Sequence, residues 1–126
     1  MAKSIIHEKS FCFALEVIEL FKKLQSEREY VLSKQLLRSG TSIGANVEEA
    51  LAGQSRRDFL AKMAIASKEA RETRYWLVLL QKSNLTKLEL NRAIQDNEEL
   101  IRILTSSVKT TEENSSTQNS KLKTQN

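Results

Sequence analysis

The chain has 126 residues, 40% hydrophobic and 29% charged, with no proline, three glycines and a net charge of +4. That length suits one domain with a small core, and the wealth of Leu, Ala, Glu, Lys, Arg and Gln favours helix. Cys12 is the only cysteine, which excludes an intramolecular disulfide and fits a reducing compartment.

The opening MAKSIIHEKS lacks the apolar core of a signal peptide. The longest apolar run, YWLVLL at 75–80, is far short of a bilayer span. A cytoplasmic protein without a membrane partner is expected.

The first helix is expected over about 8–26, where Phe13, Val17, Leu20 and Leu24 repeat in steps of four and three, with Ala14, Ile18 and Phe21 beside them. The second, about 31–53, carries Leu32, Leu36, Ser39, Ile43, Asn46, Ala50 and Gly53 at the same step. It therefore reads as helix despite Gly40 and Gly44, each costing roughly 1 kcal/mol against alanine. Its small residues would let a neighbour approach closely, and Ser39 and Asn46 would need hydrogen-bond partners once buried. Gly53 can take a left-handed C-terminal position.

Ser55-Arg-Arg-Asp58 reads as a capping-box variant opening the third helix, about 56–83. Its core line is Phe59, Met63, Ala66, Ala70, Thr73, Leu77 and Leu80, and Asn84 can cap its end. Thr86-Lys-Leu-Glu89, with a Leu85–Leu90 staple, opens the fourth, about 87–109, on Leu90, Ile94, Asn97, Ile101, Leu104 and Val108. Residues 110–126 hold one leucine among polar side chains and read as a disordered tail. The fold class expected is all-α: an antiparallel up-down-up-down four-helix bundle over 1–109.

The segment 53–82 holds seven basic and three acidic residues; elsewhere the signs balance. On a helical wheel, Arg56 and Arg74 take one flank of the third helix, while Arg57, Lys68, Arg71 and Lys82 continue round its back. Asp58, Lys62, Glu69 and Glu72 take the other flank. A basic stripe is the footprint of a phosphate-backbone contact, although it also describes a solvated helix face. Lys62 and Glu69, close to the seam, either pair across helices or snorkel at the core edge.

YWLVLL is apolar all round, so Tyr75, Val78 and Leu79 are read as an oligomer contact. Tyr75 or Trp76 could instead stack on bases. Ser39, Asn46 and Asn97 form a buried polar seam that would specify register.

The stretches RSGTSIGANVEEA (38–50) and SRRDFLAKMAIASKEARETRYWLVLL (55–80) resemble the bacterial four-helix-bundle family encoded within intervening sequences of 23S ribosomal RNA genes. They are also similar to the accessory variability protein of diversity-generating retroelements. The resemblance spans roughly 8–108. It is specific at S-x-G-A-N, at S-x-x-D-F and at KEARETRYWL. It implies a homopentameric ring and, for the retroelement relative, a basic surface that binds nucleic acid and a reverse transcriptase. It supplies no catalytic residues.

No metal or cofactor is expected. His7 is the only histidine, so the paired Glu-x-x-His of a di-iron bundle is missing. GTSIGAN lacks P-loop spacing, and Cys12 has no histidine nearby to activate it. The expected function is a non-enzymatic homo-oligomer that binds RNA or DNA backbone through Arg56, Arg57, Lys68, Arg71 and Arg74. The alternative is an adaptor for a protein such as a reverse transcriptase, with little affinity for nucleic acid.

Overall fold

The computed structural model describes the backbone of residues 4–124 and the side chains of residues 5–114. Four helices follow one another: α1 (Ser4–Ser26), α2 (Leu32–Ala52), α3 (Arg56–Ser83) and α4 (Asn91–Thr124). Each packs on the next and α4 returns to α1, closing a four-helix bundle in which α1 and α4 touch least.

The core lines up as the periodicity requires. α1 buries Ile6, Ser10, Phe13, Val17, Leu20 and Leu24, and α3 buries Met63, Ala66, Ala70, Thr73, Leu77 and Leu80. On α2 the buried line is Ser33, Leu36, Gly40, Ile43, Val47 and Ala50, with Ser39 beside it. Asn46, expected on the seam, lies one position off it. It is half-buried, and its Nδ2 donates to the Ser42 carbonyl of its own helix at 2.8 Å. On α4 the centre falls on Ala93, Asn97, Leu100 and Leu104, in line with buried Leu90 just before the helix, with Ile94 and Ile101 partly covered.

The shift on α2 has a steric cause. A Cβ built on Gly40 would stand 2.8 Å from both γ-carbons of Val17. Gly40 thus lets α1 seat a β-branched side chain against α2 backbone, which turns Val47 rather than Asn46 inward. Gly44 repeats the device one turn on, with the Ser10 carbonyl oxygen 3.3 Å from where its Cβ would be.

The buried polar groups are nearly all satisfied. Thr73 Oγ1 lies 2.9 Å from Ser39 Oγ and 2.8 Å from the Glu69 carbonyl oxygen. With one proton, the threonine donates to the carbonyl and accepts from the serine, which links α2 to α3. Asn97 Nδ2 donates to the Ala70 carbonyl at 3.1 Å and links α4 to α3, while Asn97 Oδ1 is buried without a protein partner. Ion pairs sit at the rim: Arg38 of α2 meets Glu69 and Glu72 of α3, and Lys62 reaches Glu49 at 3.4 Å. Lys62 and Glu69 therefore each pair with a residue of α2, not with each other.

The helix ends differ in part from the local signals. Residues 4–7 extend α1 upstream of the expected start. Its end is a Schellman turn: Glu29 N donates to Leu24 O and Arg28 N to Gln25 O, both at 2.9 Å. Arg28 takes the left-handed position at φ 67°. The Glu29 carboxylate then caps α2, accepting from the N–H groups of Val31, Leu32 and Ser33. Gly53 is extended, at φ −65° and ψ 149°, and not left-handed. The chain turns back through the three-residue link 53–55 without a left-handed residue, and Ser55 caps α3 by accepting from Asp58 N at 3.0 Å. Asn84 is left-handed, as expected.

α4 begins at Asn91, later than the T-x-x-E motif suggests. Thr86 donates to the Glu27 carboxylate at the end of α1, and Glu89 accepts from Asn91 N at 3.0 Å. Leu85 is exposed and forms no staple with buried Leu90. Among the described side chains the last apolar one on the core is Val108, close to the boundary read at 109. The backbone nevertheless stays helical to Thr124, since neither glycine nor proline interrupts the run.

The α1–α4 seam holds a cleft of about 690 Å³. In it Glu16 faces Asp96. Partial burial, then the hydrogen bond to Asp96 and that group's charge, push the Glu16 carboxyl from 4.5 up to about 7; Arg92 acts the other way. Beside them Lys9 Nζ meets Glu99 Oε1 at 2.8 Å, which raises the lysine and lowers the glutamate.

Two outcomes follow from these contacts. Gly40→Ala is expected to lower stability by about 1–3 kcal/mol, because the clash with stiff, fully buried Val17 outweighs the gain in helix propensity. Urea unfolding measures it, and adding Val17→Ala should return part of the loss if the clash is the cause. The raised Glu16 means that the folded chain holds a proton the unfolded chain has released between 4.5 and about 7. Stability present below 4.5 is therefore lost as pH rises through about 7. Glu16→Gln should flatten that decline in melting temperature.

Candidate nucleic-acid interface

α3 touches both α2 and α4 and turns its back to solvent. At 3.6 residues per turn, the line opposite its buried side carries Arg57, Ala61, Ala64, Lys68, Arg71, Tyr75 and Lys82, all exposed. From Arg57 to Lys82 this ridge runs about 38 Å at 1.5 Å per residue. No carboxylate lies on it. Two of the three acids of α3, Glu69 and Glu72, turn to Arg38 of α2. The third, Asp58, is in the first turn, which Ser55 caps.

The five cations expected to meet phosphate divide into groups. Arg57 and Lys68 stand on the ridge and join no ion pair among the described residues. Arg71 Nη2 donates to Thr105 Oγ1 of α4 at 3.1 Å, which steadies the guanidinium without neutralising it. Arg74 is turned to the α4 side, where its Nε donates to Glu98 Oε2 at 3.0 Å, so its charge is paired within the bundle. Arg56 is exposed and already partnered.

Sequence reasoning missed the contribution of α4. A shallow hollow between α3 and α4 is lined by Arg71, Arg74, Glu98, Ile101 and Arg102. A second, further along the same groove, includes Arg71, Thr105, Lys109 and Glu112. Arg71 borders both, so it joins the ridge of α3 to Arg102 and Lys109 on α4, where Glu98 and Glu112 stand beside them. Arg102 stands two residues before buried Leu104 and Lys109 five residues after it, a signal available in a charge balance taken across two helices but not within one.

The three residues read as an oligomer contact do not form one exposed patch. Val78 and Leu79 are half-buried within the protomer, whereas Tyr75 is 59% exposed. The Tyr75 ring meets Trp76 edge-on, with centroids 5.1 Å apart and an interplanar angle of 71°. Trp76 Nε1 donates to Glu72 Oε2 at 2.9 Å. Exposed apolar side chains also occur elsewhere, as at Val31 and Leu85, but α1 carries three of them, Ile5, Phe11 and Leu15, at 54%, 60% and 50%. Phe11 borders a shallow groove against α2 floored by Ala14, Gly44 and Ala45. These positions point away from the α1 core line, so a wheel of that helix would have shown them.

Of the buried polar seam, Ser39 and Asn97 are fully buried and Asn46 is not. Each is engaged with backbone or hydroxyl, and none faces the ridge. Among the described residues no three His, Cys, Asp or Glu side chains are grouped to hold a metal ion, and no helix is long and apolar enough to cross a membrane.

The model of the 23S rRNA-intervening sequence protein family matches residues 2–106. The chain is also similar to a protein of unknown function from the S23 ribosomal protein family of Bacteroides thetaiotaomicron, known from its crystal structure. The two share 44% identity with a TM-score of 0.81, over 86% of this chain and 99% of that one. No curated protein matches.

Proposed function

The chain belongs to the 23S rRNA-intervening sequence protein family, and we propose that it is a non-enzymatic bundle binding the phosphate backbone of RNA or DNA through the outer ridge of α3. One observation carries this reading. Arg57, Lys68, Arg71 and Lys82 share an exposed line about 38 Å long, and the acids of the same helix are held elsewhere. A polyanion meets uncompensated charge there, and Arg71 offers a guanidinium suited to phosphate oxygens. Arg102 and Lys109 widen the footprint across the groove. Such contacts carry no base sequence.

We propose further that the chain self-associates through the apolar outer side of α1, where Phe11 and Leu15 stand one turn apart. Monomers seldom leave such side chains in water as a group. Association would repeat the ridge once per subunit, multiplying a modest net charge into a field strong enough to concentrate a polyanion. The five-subunit ring implied by the family resemblance is the form to look for.

Reversing three ridge charges together (Arg57→Glu, Lys68→Glu and Arg71→Glu) should weaken binding at least tenfold. It should also reduce the slope of log affinity against log salt by about 2–3. Filter binding at several salt concentrations reads both, with circular dichroism as the control for folding. Unchanged affinity and slope would remove the ridge as the contact. If the unaltered chain binds neither RNA nor DNA, an adaptor for an acidic protein surface takes its place. Separately, Phe11→Asp with Leu15→Lys should reduce the particle to one chain by light scattering; an unaltered mass would place the contact elsewhere.

A further inference from the structure

Tyr75 is the one aromatic side chain on the basic ridge. Arg71 lies one turn before it, Lys68 two turns before it and Lys82 two turns after it. Its ring is 59% exposed, yet it is not loose. Trp76 braces its edge, Glu72 holds the Trp76 indole N–H, and Arg38 of α2 holds Glu72. A chain of contacts from the next helix thus fixes a flat ring in the open. Folding gains little from a ring it leaves in water, while the bracing restricts its rotamers.

We propose that Tyr75 is a base-stacking platform and that the occupant of the ridge is a single-stranded polynucleotide. This rests on the basic ridge being the nucleic-acid contact. A duplex keeps its base faces stacked inside, so a tyrosine ring on a helix ridge has no base face to stack on there. An unpaired strand offers both. Its phosphates can lie along Lys68 and Arg71 while a neighbouring base lies flat on Tyr75. Every base has a π-face, so the stacking is tolerant of sequence. The same side chain opposes the preference that charge alone would give to the more densely charged duplex.

The test uses the full chain with short labelled oligouridine and oligothymidine strands and a mixed-sequence duplex, titrated by fluorescence anisotropy. The unaltered chain should bind both single strands more tightly than the duplex. Tyr75→Ala should weaken single-strand binding roughly tenfold or more and leave duplex binding as it was. Tyr75→Phe, which keeps the ring and removes the hydroxyl, should bind single strands like the unaltered chain. Equal affinity of Tyr75→Ala and the unaltered chain for single strands overturns the proposal. So does an equal loss for strand and duplex, or a fall in particle mass on Tyr75→Ala, which would make the tyrosine a subunit contact. Where only the charge reversals of the ridge abolish binding, stacking fails and the ridge stands. Where no nucleic acid binds the unaltered chain, both readings fail.

Discussion

The architecture depends on how closely α1 lies against α2. Val17 occupies the space a side chain at residue 40 would need. One turn further on, the Ser10 carbonyl occupies nearly as much at residue 44. Two glycines in the middle of a helix disfavour it in isolation, so α2 owes its continuity to the neighbour that its glycines admit. Once α1 is seated on that side, the rest of α2 is free to meet α3 through the Ser39–Thr73 hydroxyl pair and the Arg38 ion pairs. α3 is thereby fixed in rotation, and its outward line becomes a property of the whole bundle.

That rotation sorts charge. Carboxylates on the α2 side of α3 are consumed by Arg38, and Arg74 on the α4 side is met by Glu98. What remains outward is cationic and uncompensated. The electrostatic character of the surface thus comes less from the net charge of +4 than from where internal pairing removes acids from view. The same pairing reaches through Glu72 to Trp76 and so to the ring of Tyr75, which couples the order of an exposed aromatic to the α2–α3 interface.

Much of this was legible in the chain. α3 was readable to both ends, 56–83, because its signals are local: a serine that caps and an asparagine that accepts a left-handed turn. The start of α4 was not: Thr86 donates to Glu27, fifty-nine residues away, and accepts from Leu88 N in a turn that precedes the helix, which begins at Asn91. Arg28 carries no mark of a left-handed residue; the turn is imposed by the Schellman bonds around it. Glu29, lying outside the usual capping-box spacing, gave no sign of capping α2. Asn46 and Val47 are adjacent, and a four-three step fits either; the close seat of Val17 on Gly40 and the lower cost of burying valine than asparagine accompany the observed choice. The cationic ridge could be drawn on a wheel, whereas the neutralisation of Arg74 and the addition of Arg102 and Lys109 needed the neighbouring helix in place.

The contacts between successive helices join segments near in sequence, while α1 and α4 meet across nearly the whole chain and with the least packing. Hairpins of neighbouring helices can form early, since little chain entropy is lost in bringing them together. Closure of the circle comes last and is the cheapest contact to undo. Amides along the facing sides of the first and last helices should exchange with solvent through openings that leave the middle pair intact. The bundle breathes, in effect, like a book whose spine is α2–α3 and whose covers are its terminal helices.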